Sequence, residues 1–86
     1  MVPTDILVPA DGIRWRSALD ELVLLEVSTG RSWLLDPAAT AIWEAVVIAG
    51  SAQGALALLP GADPREVEGF LDGLVEAGPL VRSSGG

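Results

Sequence analysis

The chain has no cysteine, histidine or tyrosine, and its five basic residues are all arginine, so lysine is missing too. Without cysteine there is neither a disulfide framework nor a thiolate metal site. Without histidine, cysteine, lysine or tyrosine the usual general bases and nucleophiles are gone, which leaves carboxylates and Ser/Thr hydroxyls. Carboxylate pairs such as Glu66 and Glu68 fall on what reads as a solvated helix face. A phosphate-cradling loop is absent as well, because the run from Gly50 to Gly54 lacks the Gly-Lys-Ser/Thr ending. The sequence predicts no enzyme, no cofactor and no metal.

Positive charge is scarce. Arg14, Arg16, Arg31, Arg65 and Arg82 stand against twelve carboxylates, for a formal charge of −7, and no two arginines are adjacent. Phosphate contacts need clustered Lys and Arg, so nucleic acid is disfavoured, and an anionic membrane surface is disfavoured for the same reason. Long apolar runs are missing too. Residues 45–49 form a stretch far too short to span a bilayer, and no charged n-region precedes an apolar run as in a signal peptide. A cytoplasmic protein is expected.

Half of the 86 residues are hydrophobic, enough for one small core. The expected organisation is a single domain over residues 1–82 with a disordered tail at 83–86, the run Ser-Ser-Gly-Gly. The start is ambiguous: Ile6-Leu7-Val8 reads as a short strand stopped by Pro9, and Asp11-Gly12 as a turn. Residues 13–16 alternate apolar and polar, the pattern of a half-buried strand. Leu19-Asp20-Glu21 then makes a turn. Residues 22–27 carry one charge, Glu26, as in a central strand covered on both faces. Ser28-Thr29-Gly30 suits a hairpin loop whose glycine takes a positive φ, so residues 31–35 pair back on 22–27 and lie at the sheet edge.

At Pro37 the period changes from that of a strand to that of a helix. Asp36 caps, Pro37 fits the first turn, and Ala39, Ile42, Trp43, Val46 and Val47 share one face, closed by Gly50. Ser51 starts a weaker helix with Ala52, Ala55, Leu56 and Leu59 inward, ended by Pro60-Gly61. Asp63-Pro64-Arg65-Glu66 starts a third helix over residues 64–77, with Val67, Phe70, Leu71, Leu74 and Val75 on its apolar face and Gly78-Pro79 as its stop. Leu80-Val81 lies back against the sheet or the helices. The fold class expected is α+β: a small three-stranded antiparallel sheet followed by a three-helix, winged helix-turn-helix-like bundle.

Two features have functional potential. The strand 31–35 offers unpaired N–H and C=O groups that a guest strand can satisfy, unless the N-terminal segment, Leu80-Val81 or a second copy covers them. On the third helix Glu68, Asp72 and Glu76 form a solvated row, while Gly69 and Gly73 lower the relief beside Phe70. Trp15, Trp33 and Trp43 read as core or semi-core, with Trp33 the candidate for lining a groove.

The run from Glu21 to Trp43, with its Thr29-Gly30-Arg31 turn, Trp33-Leu34-Leu35 strand, Asp36-Pro37 joint and Ala/Trp helix, resembles the PqqD family. The later set Asp63-Pro64, Val67, Phe70-Leu71, Leu74-Val75 and Gly78 resembles its closing helix, so the resemblance covers roughly residues 13–82. Asp36 stands where Asn is commoner, and Pro79 interrupts the family's Gly-Leu exit. The resemblance implies a recognition element for the leader segment of a ribosomally made, modified peptide. The leader would add as a strand to the edge of the third strand and lie against the third helix. On that reading Arg31 opens the edge, and Ser32, Trp33, Leu34 and Leu35 give backbone hydrogen bonds. Val67, Phe70, Leu71, Gly73 and Leu74 then form or border an apolar pocket. The implied partners are the precursor leader and a maturation enzyme: a lasso-peptide peptidase or cyclase, or a radical-SAM enzyme. A monomer or weak dimer is expected. Two alternatives remain: a winged-helix nucleic-acid binder, whose recognition helix would be 64–77 with its one arginine and four carboxylates, and a dimerisation or adaptor module without a peptide ligand.

Overall fold

Alternation of apolar and polar residues over the first third of the chain builds a three-stranded antiparallel sheet from Ile13–Ala18 (β2), Glu21–Glu26 (β3) and Ser32–Leu35 (β4), in the order β2-β3-β4. The computed structural model describes residues 5–84. The central place of β3 and the edge place of β4 follow the sequence reading. One face of β3 does not. Leu22 and Leu24 are buried inward, but Leu25 on the other face stays 40 % exposed and Val23 is half-buried. The apolar run predicts two covered faces. Only the inner one is covered, because the buried side chains of all three helices join Leu22, Leu24 and Leu35 in one core.

The turns behave as their residues dictate. Gly30 sits at φ 79° and donates its N–H to the Glu26 carbonyl at 2.8 Å, and the Glu26 N–H reaches the Arg31 carbonyl at 2.8 Å. β2 runs two residues further than its alternation predicts, to a tight turn in which Leu19 holds φ 61°.

Pro37–Ala49 (α1) starts where Asp36 accepts the Ala39 N–H at 2.8 Å and stops at left-handed Gly50. Ala52–Ala57 (α2) is capped by Ser51 and ends sooner than Pro60-Gly61 implies, at Leu58. Pro64–Ala77 (α3) starts where Asp63 accepts the Arg65 N–H at 2.9 Å, and closes at Gly78 with φ 118°. α1 packs on β3 and β4, and α2 packs on α1 and α3. Trp43 fills the centre, wholly buried, with Trp15 edge-to-face at 5.3 Å between ring centroids. No charged or polar side chain is buried among the described residues, so burial of apolar surface carries the stability. Among the described residues the Trp43 indole N–H meets no acceptor.

A second sheet completes the fold. Asp5–Pro9 (β1) pairs antiparallel with Leu80–Ser84 (β5), from Asp5 opposite Ser84 to Pro9 opposite Leu80. Leu7 and Leu80 are buried, and the Leu7 N–H reaches the Gly50 carbonyl at 2.8 Å, which docks the pair on the end of α1. Residues 80–81 therefore belong to a strand of their own sheet. Ser83 and Ser84, assigned to the tail by composition, are its last positions because a partner strand satisfies their backbone; Gly85 and Gly86 lie outside the described residues. No helix among the described residues is long and apolar enough to cross a membrane.

Candidate functional site

The outer edge of β4 follows from hydrogen-bond parity. In an antiparallel pair both backbone groups of a residue point to the same side, and successive residues alternate. The Glu26 N–H bonds Arg31 on the β4 side, and the Val27 N–H bonds Gly12 on the β2 side at 3.0 Å. With Leu24 opposite Trp33 and Leu22 opposite Leu35, the main-chain groups of Trp33 and Leu35 face β3. Those of Ser32 and Leu34 face outward. Among the described residues no strand pairs with that side. β1 and β5 are committed to each other. The sequence reading counted Ser32, Trp33, Leu34 and Leu35 alike as edge donors. Two of these four, Ser32 and Leu34, present free groups, and the other two are held by the hairpin.

Side chains alternate in the opposite sense to solvent and core. Ser32 and Leu34 are exposed, Leu35 is buried and Trp33 is half-buried against the core. Arg31 braces the start of the strand. Its Nε donates to the Glu26 carboxylate at 2.9 Å, and its guanidinium carbon stands 5.2 Å from the Trp33 ring centroid. Its Nη2 would be 3.2 Å from a Cβ at position 78. Gly78 thus lets a guanidinium approach the C-terminal end of α3, where the helix dipole favours a cation. The hydrogen bonds from Arg31 and from the Thr29 hydroxyl, with the nearby Arg31 charge, hold the Glu26 carboxyl below its ordinary pKa of 4.5, against a smaller opposing effect of burial.

On α3 the five site residues singled out by sequence, with Gly69 beside them, divide by depth. Val67, Leu71 and Leu74 are buried in the core. Phe70 is half-buried on it, and Gly69 and Gly73 are exposed, with nothing within 4 Å of a Cβ added at either. The opposite flank is occupied: Asp72 pairs with Arg82 of β5. β5 therefore covers one side of α3 and leaves the Phe70–Gly73 side open. The residues that reach a surface are Arg31, Ser32, Trp33, Leu34, Phe70 and Gly73, and the rest support them from beneath. Gly78, Glu26 and Thr29 were missed as contributors. A glycine helix stop and a Glu–loop–Arg spacing are too common to announce the bracket they form. No group of His, Cys, Asp or Glu among the described residues is placed to hold a metal.

A solved structure, TbiB1 in complex with the TbiA(beta) leader peptide, aligns with a TM-score of 0.70 over 85 % of this chain and 93 % of that chain. The fold is similar to that of TbiB1. Identity to TbiB1 is 22 %, so the likeness is one of architecture. No protein-family model matches the chain, and no curated protein matches it.

Proposed function

We propose that the chain is a non-catalytic module that captures the leader segment of a ribosomally made precursor peptide and delivers it to a maturation enzyme. The leader adds antiparallel or parallel to β4 and lays alternate side chains toward the Phe70–Gly73 flank of α3. The observation that carries this reading is the unpaired outer edge of β4, with the main-chain groups of Ser32 and Leu34 free to bond a guest. A fold shared with a protein solved in complex with a leader peptide supports it.

The energetics assign roles. Two residues offer four main-chain groups, each worth about 1 kcal/mol net. Micromolar affinity needs about 8 kcal/mol, and ordering a flexible peptide costs about 2–5 kcal/mol more. Apolar burial at about 25 cal/mol per Å² must supply the balance, which gives the half-exposed Trp33 and Phe70 the larger share. The edge then sets register and direction, and the groove sets affinity. Binding raises the local concentration of precursor at the enzyme, here a lasso-peptide peptidase or cyclase or a radical-SAM enzyme.

Titration with the leader peptide encoded beside this chain, followed by tryptophan fluorescence, tests the reading. Saturable binding is expected, with none to duplex DNA. Phe70→Ala should weaken it about tenfold while the fold persists, because the ring is only half-buried. Absence of binding at high micromolar leader would sink the proposal.

A further inference from the structure

The outer face of the three-stranded sheet is uncovered, and it sets exposed apolar side chains beside two arginines. Register puts Arg14, Leu25 and Ser32 in one cross-strand row and Arg16, Val23 and Leu34 in the next. Leu25 is 40 % exposed and Leu34 65 %. A shallow depression of about 650 Å³ is lined by Arg14, Trp15, Arg16, Val23 and Leu25.

Among the described residues neither guanidinium on this face meets a carboxylate. Arg14 reaches only the carbonyl of its neighbour Ile13, at 3.5 Å, and Arg16 forms no ion pair among the described residues. Arg31 and Arg82, by contrast, are paired with Glu26 and Asp72. Arg65 on α3 is also without an ion pair among the described residues, but only on this face do two such arginines sit side by side around an apolar centre. At the tip of the same hairpin Leu19 is fully exposed at φ 61°, a position where Gly, Asn or Asp is ordinarily found. A free-standing sheet face would carry polar side chains at Val23, Leu25 and Leu34.

We infer that this face docks an apolar patch rimmed by carboxylates on the maturation enzyme that receives the peptide. Charge complementarity selects an acidic partner. Continuity with β4 selects the enzyme: Ser32 and Leu34 belong to this face, so a guest strand beside them extends it, and whatever covers the face touches the guest. That step rests on the reading given under Proposed function. A second copy stacked face to face would bring four guanidiniums together, and like charges disfavour it.

The test uses the charge-reversed pair Arg14→Glu/Arg16→Glu and the charge-keeping pair Arg14→Lys/Arg16→Lys, both at exposed positions. The probes are the leader peptide and the maturation enzyme encoded beside this chain. Wild type should bind the enzyme with an affinity that falls as salt rises. The Glu pair should bind it about tenfold more weakly or worse, the Lys pair should keep most of the affinity, and leader binding should be the same in all three. An enzyme that binds the Glu pair like wild type, or that does not bind wild type, overturns the inference. So does a wild-type dimer in sedimentation that the Glu pair abolishes, since the face would then belong to a second copy. Loss of leader binding in wild type with enzyme docking intact would count against the leader reading and leave the docking face standing.

Discussion

Ser32 and Trp33 are neighbours whose amides point in opposite directions, so one substitution has opposite consequences at the two positions. Ser32→Pro removes an N–H that faces solvent. The hairpin should survive, and leader affinity should fall about two- to tenfold for the one bond lost. Trp33→Pro removes an N–H that bonds β3 and should unfold the hairpin. Circular dichroism with leader titration separates the two, and equal behaviour of the variants would overturn the parity assigned to β4. The Glu26 carboxyl sets a second expectation. Its pKa is lower in the folded protein than the ordinary 4.5, so its contribution is complete above that value and is lost as pH falls through the lowered folded pKa. Melting temperature should drop on acidification below about 4.5, and Glu26→Gln should flatten that part of the profile. At this scale the sequence was informative about residue type and silent about orientation. Gly30 at positive φ and the Asp36 cap could be read directly. Which amides of 32–35 face outward depends on the pairing register, which no single residue encodes.

Among the elements, α3 was the most legible, because its caps and its apolar face are both written in local sequence. Its two exposed glycines lead to a contrast with α2. A methyl group at Gly73 meets nothing within 4 Å, so Gly73→Ala should stabilise the fold by about 0.5–1 kcal/mol. Gly54 looks equally replaceable in sequence. A Cβ there would stand 2.7 Å from the Ala49 Cβ, so Gly54→Ala forces the α1–α2 joint apart and should destabilise. Thermal melts of both variants decide the matter, and a bulkier Gly73→Leu should then obstruct leader binding without unfolding. The least legible element was β5. Its partner β1 lies at the other end of the chain, and no turn or hairpin joins the two strands to signal their pairing. Composition accordingly assigned Ser83 and Ser84 to a tail, and the outer face of β3 to a covered position. Both errors have one origin: a local pattern records how apolar a segment is, and cannot record what is left elsewhere in the chain to pair with it.

For the molecule as a whole, β5 is a structural strand, although its sequence resembles a frayed end. Leu80 is 1 % exposed, and its removal would uncover Leu7 and the Asp72 side of α3. A chain stopped after Pro79 should lose several kcal/mol, of the order of a large-to-small core substitution of about 2–5 kcal/mol, which is a large part of the stability of a small domain. Denaturant titration of that truncation should show a lower midpoint.

The β1–β5 pair also brings the two ends of the described chain together. Asp5 lies directly opposite Ser84, a separation of about 5 Å between Cα atoms. The two ends of the described chain therefore share a single point, in a sheet separate from the one that contains β4. A polypeptide with that geometry is a cassette: it can be spliced into a surface loop of another protein without stretching the host, or carried on one short tether, with its open strand edge still exposed.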